Sequence, residues 1–321
     1  MKVAIVGAGG LGATFGALLT AAGIDVTMIE IDRRRVEKIG TEGLDMIMPD
    51  GTKKHFTLKI TDDVHAVGEV DLVQISVKGY HTASAAASVV PLVGPRTYVL
   101  SVQNGLGNLR RIAEHVPAAQ VIGGVTALSA MPLDLNLIKF NGGHGGVAFG
   151  RFDGVEDPGL QDVARMFEVA GIEAQVISGN VQVPIWRKLI ANVSNNCVAA
   201  ITGFTGNQML ACEPICDLIA KLAEEVALVA RAEGLDFDEL NDPAGFVLHK
   251  TLPGVKDNKI SMLQDVEAGR RTEIETLNAE IVRLGAVHGI PTPYNHTMTC
   301  LVHAREQQML WDQHQRTSAK D

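Results

Sequence analysis

The stretch "KVAIVGAGGLG", residues 2–12, restricts what this chain can fold into more than any other segment. "KVAIV" is a short apolar run rich in β-branched residues, the mark of a buried strand. Gly7, Gly9 and Gly12 then spell G-x-G-x-x-G, "ATFGALLTAAG" continues at helical period, and "DVTMIE" is a second strand. Strand, glycine turn, helix and strand make a βαβ unit. The glycine spacing alone is a weak signal, but in this setting each glycine has a mechanical use. Gly7 allows the tight turn, Gly9 lets the backbone approach a pyrophosphate, and Gly12 lets helix and strand pack closely. The helix start, through Gly10, Leu11 and Gly12, offers N–H groups and a partial positive charge to that anion.

Glu30 closes the second strand, where an acid accepts hydrogen bonds from the adenosine ribose diol. Its charge would repel a 2′-phosphate, so Glu30 favours NAD over NADP. Arg33, Arg34 and Arg35 pull the other way, unless they form a solvated first turn behind an Asp32 N-cap.

Beyond this unit, "LDMIMPDGTKKHFTLKI" carries a Pro-Asp-Gly turn between two strand-like runs and is expected to form a hairpin inserted in the sheet. "VDLVQISVK" and "TYVLSVQNG" are further buried strands, with the Ala-rich helix "TASAAASVVPLV" between them. "VIGGVTALSAM", "LNLIKF" and "GGVAFG" are expected as antiparallel strands rather than crossover-linked ones. The character changes near residues 178–180. Long helical patterns follow over 183–200, 214–233, around 243–251, 272–288 and 294–313. The chain therefore divides into a dinucleotide-binding α/β domain of the Rossmann type, residues 1–179, and an all-α domain, residues 180–321, with the active site expected in the cleft between them.

With 46% apolar and 20% charged residues and a net charge of −9, the composition is that of a globular protein without affinity for nucleic acid or anionic membranes. No apolar run reaches the ~20 residues of a membrane span. The N-terminus starts a strand at once, so no signal peptide is expected. Cys197, Cys212, Cys216 and Cys300 form no CxxC pair and no metal-ligand spacing, so they are expected as reduced thiols in the cytoplasm, with no metal bound.

"WRKLIANVSNNCV" is an apolar helix with an unusual polar stripe. Lys188, Asn192 and Asn196 recur every fourth residue, and Asn195 lies beside Asn192. A solvated stripe favours Glu, Lys, Gln and Arg over three asparagines in five residues. Short amides suit a polar cleft, where each can donate and accept. A lysine there, its pKa lowered by burial, can protonate a developing alkoxide.

At these residues the chain resembles the ketopantoate reductases (2-dehydropantoate 2-reductases). Trp186-x-Lys188-Leu189-x-x-Asn192-x-x-x-Asn196 is similar to the family's signature. "VKGYHT", "QNGLGN", "NKISMLQDVEAGRRTEIETLN" and "HGIPTPYN" resemble further family motifs in the same order, from Gly7 to Asn295. The resemblance implies a helical domain like that of 6-phosphogluconate dehydrogenase and an NAD(P)H-dependent reduction of ketopantoate at its C2 carbonyl, a step toward pantothenate and coenzyme A. It implies Lys188 as general acid and Glu273 as the acid that orients it or the substrate hydroxyl. Asn192, Asn196, Asn258 and Ser261 would hold the keto acid, and Lys78 and Asn104 would line the nicotinamide. NADP is usual in the family, and relatives often form homodimers.

Each residue also has a plainer reading. Lys78 ends a strand, Asn104-Gly105 makes a turn, Ser261 is a possible N-cap, and Glu273 and Glu275 follow Thr272 as in a capping box. The chain departs from the family at Cys197-Val198-Ala199, where many relatives have Pro-Leu-Thr, at Gly206-Asn207, and at Lys139-Phe140-Asn141, where a His-x-Gly is usual. These bear on the substrate, whereas Glu30-Ile31, in place of an arginine, bears on NAD against NADP. Rivals are a reductase of another small 2-keto or 3-hydroxy acid and a non-catalytic dinucleotide sensor. Retention of Lys188 and Glu273 opposes the latter.

Overall fold

The computed structural model describes residues 1–143 and 145–318. The chain packs as two compact units. The first is Met1–Gln103 with Gly107–Gln182, and the second is Asn104–Leu106 with the chain from Val183 onward.

In chain order the first unit contains β1 (Lys2–Val6), α1 (Gly10–Ala21), β2 (Asp25–Ile29), α2 (Arg33–Glu42), β3 (Leu44–Ile47), β4 (Lys53–Phe56), β5 (Lys59–Thr61) and β6 (Val70–Ile75). It continues with α3 (Thr82–Ser88), β7 (Val93–Ser101), α4 (Asn108–Ala113), β8 (Val121–Thr126), β9 (Ser129–Pro132), β10 (Leu137–Gly142), β11 (Val147–Arg151), α5 (Leu160–Val169) and β12 (Ala174–Val176). The main sheet has the order β12-β11-β8-β7-β6-β1-β2-β5. It is parallel from β8 to β5, while β11 runs antiparallel to β8. Val3, Ala4 and Ile5 of β1 are fully buried, as a central parallel strand covered on both faces requires. On one face Phe15 of α1 and Phe149 of β11 both meet Phe167 of α5 edge-on, at 5.7 and 6.0 Å.

Two strand expectations need correction. The hairpin at residues 44–60 forms, but outside the main sheet: β3 pairs antiparallel with β4 and parallel with β10, in a separate sheet β4-β3-β10-β9. Leu44 and Met46 are buried while Asp45 and Ile47 are not, so β3 has one face for a core. A strand inside the parallel sheet would need two. Only β5 joins the main sheet, at its edge beside β2. The second correction concerns β8, which is parallel to β7 and reached by a crossover through α4. That helix, Asn108–Ala113, is too short to show a helical period in sequence. Antiparallel pairing at this end of the sheet begins only with β11.

The second unit is helical, as expected: α6 (Gln182–Thr202), α7 (Gly206–Leu210), α8 (Glu213–Ala232) and α9 (Pro243–Gly245), the last continuing as a π-helical segment, Phe246–Thr251, into α10 (Leu252–Val255). α11 (Ser261–Glu267), α12 (Asn278–His288) and α13 (Pro293–Ser318) complete it. Its core joins Leu189, Ile190 and Val193 of α6 to Leu222 and Val226 of α8, Ile281 of α12 and Val302 of α13. Among the described residues no helix is long and apolar enough to cross a membrane.

The helix expected from Thr272 starts later, at Asn278. Side chains of α13 hold the preceding segment out of helix. Glu306 accepts the Thr272 N–H at 2.6 Å, and His303 meets Glu275 at 3.0 Å. Glu275 is thereby turned away, and no Thr272 capping box forms.

Candidate active site

The glycine turn sits at the carboxyl end of β1, where the sheet order reverses between β2 on one side and β6 on the other. That is the topological switch point at which open α/β sheets bind ligands. Gly7 has φ +96°, which only glycine adopts without strain, and its N–H donates to the Ile29 carbonyl at 2.8 Å. A Cβ on Gly12 would overlap the Gly7 carbonyl oxygen, so α1 can press against the turn only with glycine there. Gly9 is different: a Cβ on it would meet nothing within 4 Å. It caps α1 with no side-chain hydrogen bond, and the first-turn N–H groups of Gly10, Leu11 and Gly12 have no acceptor within their own helix. Open space in front of a bare helix N-terminus fits a dinucleotide pyrophosphate.

Glu30 has a role that its position alone does not disclose. Its Oε2 accepts the Ala8 N–H at 2.8 Å, and its Oε1 accepts those of Ile31 and Asp32 at 2.8 and 3.1 Å. The carboxylate thus braces the glycine loop. With about four lone-pair sites on a carboxylate, it still keeps acceptor capacity. The three arginines are engaged around it. Arg33 pairs with Asp62 and Arg34 with Asp32, while Arg35 donates to the Ala8 and Leu135 carbonyls at 3.2 and 2.8 Å. Asp32 is the N-cap of α2, accepting the Arg34 N–H. Lys78 follows the carboxyl end of β6 and opens a tight turn in which the His81 N–H donates to its carbonyl at 2.8 Å. Behind it Gln103 Nε2 holds the Val77 carbonyl at 2.6 Å.

In the second unit, α6 carries the polar stripe. Asn195 and Asn196 are each only 4% exposed, while Lys188 and Asn192 are half-buried, so the stripe is not a solvated face. Asn195 Oδ1 is buried without a hydrogen-bond partner among the described residues. Burial pulls the Lys188 pKa down to about 8, and the nearby charge of Glu273 opposes that shift. Glu273 lies on the segment before α12, next to the turn Ile274–Thr276. Asn104 belongs here too. The next residue, Gly105, has φ +85° and a Cβ on it would overlap the Thr276 carbonyl oxygen, to which the Leu106 N–H donates at 2.9 Å. Asn104 and Glu273 are thus set on two strands of chain tied together at Thr276.

Asn258 and Ser261 are exposed. The Asn258 side chain donates to the Val255 carbonyl at 3.0 Å, and Ser261 is the first residue of α11, one position inside the cap. Asp265, which follows Ser261 on α11, is buried and paired with Arg270 at 2.9 Å. Among the described residues no group of three His, Cys, Asp or Glu side chains could hold a metal. Sequence reading assigned no role to Glu225, Asn278 and Asn295, which form a buried chain of hydrogen bonds behind α6. Its signals were the last asparagine of "NKISMLQDVEAGRRTEIETLN", Asn278, and that of the tail motif "HGIPTPYN", Asn295.

A glycine-opened Rossmann unit, followed by a helical unit bearing a lysine of lowered pKa against a carboxylate, is the build of a dinucleotide-dependent oxidoreductase acting on CH–OH groups. Comparison with known proteins narrows this. The family model "Ketopantoate reductase PanE/ApbA" matches residues 3–154, and its C-terminal counterpart matches residues 180–306. The 2-dehydropantoate 2-reductase of Halobacterium salinarum is 32% identical over 303 residues, covering 94% of this chain and 98% of the relative. Among solved structures, a D-mandelate dehydrogenase with NADH and anilino(oxo)acetate superposes with TM-score 0.89 at 26% identity, covering 96% of this chain and 99% of the other. A PanE/ApbA family ketopantoate reductase from Ralstonia eutropha gives TM-score 0.85 at 29% identity, covering 97% and 100%. The chain belongs to the ketopantoate reductase family.

Proposed function

We propose that this protein reduces 2-dehydropantoate to pantoate with NADH or NADPH, and that Lys188 supplies the proton to the C2 oxygen. The observation that carries the residue assignment is Lys188 itself, a half-buried lysine of pKa about 8 set against Glu273 on an asparagine-lined helix. When bound, the dinucleotide supplies the hydride. The chain's own groups do the rest. As negative charge grows on the carbonyl oxygen, the Lys188 ammonium stabilises it and then donates its proton. Glu273 favours the charged lysine and so keeps it mostly protonated at neutral pH. Asn192, Asn196, Asn258 and Ser261 offer donors and acceptors to the carboxylate and hydroxyl of the keto acid. Lys78 and Asn104 line the nicotinamide.

NAD is the preferred cofactor on this reading. Glu30 is pinned by three backbone N–H groups at the ribose position, and Arg35 is committed to backbone carbonyls. We assign the protein to the cytoplasm and to a homodimer formed through the second unit, where Leu228, Val287, Leu301 and Trp311 are exposed. A second reading, reduction of another small 2-keto acid, draws on the likeness to D-mandelate dehydrogenase and on Cys197-Val198-Ala199. The test is the absorbance loss of NADH and of NADPH, side by side, with 2-dehydropantoate and with an aryl 2-keto acid. Faster turnover of 2-dehydropantoate supports the first reading, and turnover of the aryl acid alone replaces it with the second.

A further inference from the structure

Within the second unit a buried polar chain links α8, α13, α12 and α6. Glu225 of α8 is 6% exposed, and Asn278 and Asn295, at the starts of α12 and α13, are fully buried. The Glu225 carboxylate accepts the Tyr294 and Asn295 N–H groups at 2.9 Å each and Asn295 Nδ2 at 2.7 Å. A carboxylate so placed accepts only, so it decides which end of the Asn295 amide faces it. Asn295 Oδ1 is left toward Asn278 and takes its Nδ2 at 2.9 Å. The same Nδ2 reaches the Val193 carbonyl at 3.1 Å and Cys197 Sγ at 3.4 Å, both on α6. Asn278 Oδ1 has no partner among the described residues, so the donor side alone sets the orientation of this amide. An apolar contact would hold α6 and α12 together at less desolvation cost, but it would not fix their register.

We propose that Asn278 is a positioning residue, whose amide ties the helix bearing Lys188 to the segment bearing Glu273 and so holds the two charged groups together. The inference rests on the reading of Lys188 as the acid. Both arms of the tie are short. Lys188 lies five residues before Val193 on one helix, about 7.5 Å along its axis. Glu273 lies five residues before Asn278, and the turn between them is closed by the Thr276 N–H donating to the Glu273 carbonyl at 3.1 Å and the Leu277 N–H to that of Ile274 at 3.3 Å. Glu273 is the charge that acts on Lys188, and Cys197, the other titratable group touching Asn278, is kept neutral by a pKa that burial pushes up to about 12.

The experiment is a double-mutant cycle on the full chain, Asn278→Ala against Glu273→Gln, with the pH profile of kcat/KM for the keto acid as readout. Both single variants are expected to move the basic limb to lower pH by half a unit or more. Asn278→Ala is also expected to lower kcat about tenfold while the KM for dinucleotide stays within twofold. The double variant is expected to match Glu273→Gln alone, because the tie acts through Glu273. A core truncation in the same unit, Val226→Ala, is expected to lower the melting temperature without moving the limb. Additive effects in the double variant, or an unmoved limb in Asn278→Ala, overturn the proposal. If Asn278→Ala does not fold, Asn295→Ala replaces it with the same expected shift and the same refutation. If Lys188→Met and Glu273→Gln themselves leave the limb in place, the acid assignment fails instead.

Discussion

Replacing Lys188 by Met is expected to stop catalysis and stabilise the protein at the same time. The methionine keeps the apolar stem and removes the ammonium. Burial takes the lysine from 10.5 to about 8, a difference worth about 3 kcal/mol at ~1.36 kcal/mol per pH unit. The sign follows from proton binding. Below pH 8 the lysine is charged in both states, and the folded state bears the full desolvation penalty. Between pH 8 and 10.5 the folded protein sheds the proton while the unfolded chain keeps it, so wild-type stability rises with pH across that window. Lys188→Met lacks this rise. It is therefore expected to be the more stable protein by up to about 3 kcal/mol at pH 7, with the advantage gone near pH 10.5. Leaving Glu273 without its counter-charge takes back part of the gain, and adding Glu273→Gln restores it. The assay is thermal unfolding from pH 6 to 10.5, where each kcal/mol moves the melting temperature by about 2–4 °C. Turnover is expected to fall by about 10²–10⁴, the usual contribution of a general acid. A variant less stable than wild type at pH 7, a pH-independent difference, or unchanged turnover refutes the reasoning.

Three further outcomes are expected. Glu30→Ala narrows any preference for NADH over NADPH and, by freeing the Ala8 N–H, weakens binding of both; steady-state KM values measure it, and an unchanged ratio refutes the Glu30 reading. Gly12→Ala places a Cβ onto the Gly7 carbonyl oxygen, and is expected to lower the melting temperature and weaken dinucleotide binding by at least tenfold in fluorescence titration. Cys197, with its thiol pushed up to about 12 and fully buried, resists alkylation by iodoacetamide at pH 8 until the protein unfolds, whereas the exposed Cys300 reacts; mass spectrometry reads the order.

What the sequence determined by itself is whatever a short window of chain can encode. The strand–glycine–helix order at residues 2–21, the long helices α6, α8 and α13, and the stripe of Lys188, Asn192 and Asn196 follow from periodicity and from residue types that suit only certain dihedrals. The 44–60 segment shows where that stops: its hairpin is local, but the sheet it joins depends on β10, some 90 residues away in the chain. The later start of α12 likewise depends on Glu306 and His303 of α13, which compete for the Thr272 N–H and for Glu275. At the candidate site the tertiary structure alone moved Asn104–Leu106 into the second unit, engaged the Glu30 carboxylate with the glycine loop, and aligned Glu225, Asn295 and Asn278 behind α6. The physical reason is the same in each case. Local conformation is settled by backbone sterics and apolar spacing within a few residues. Which buried polar group meets which is settled by desolvation, which no residue experiences until distant segments have packed around it.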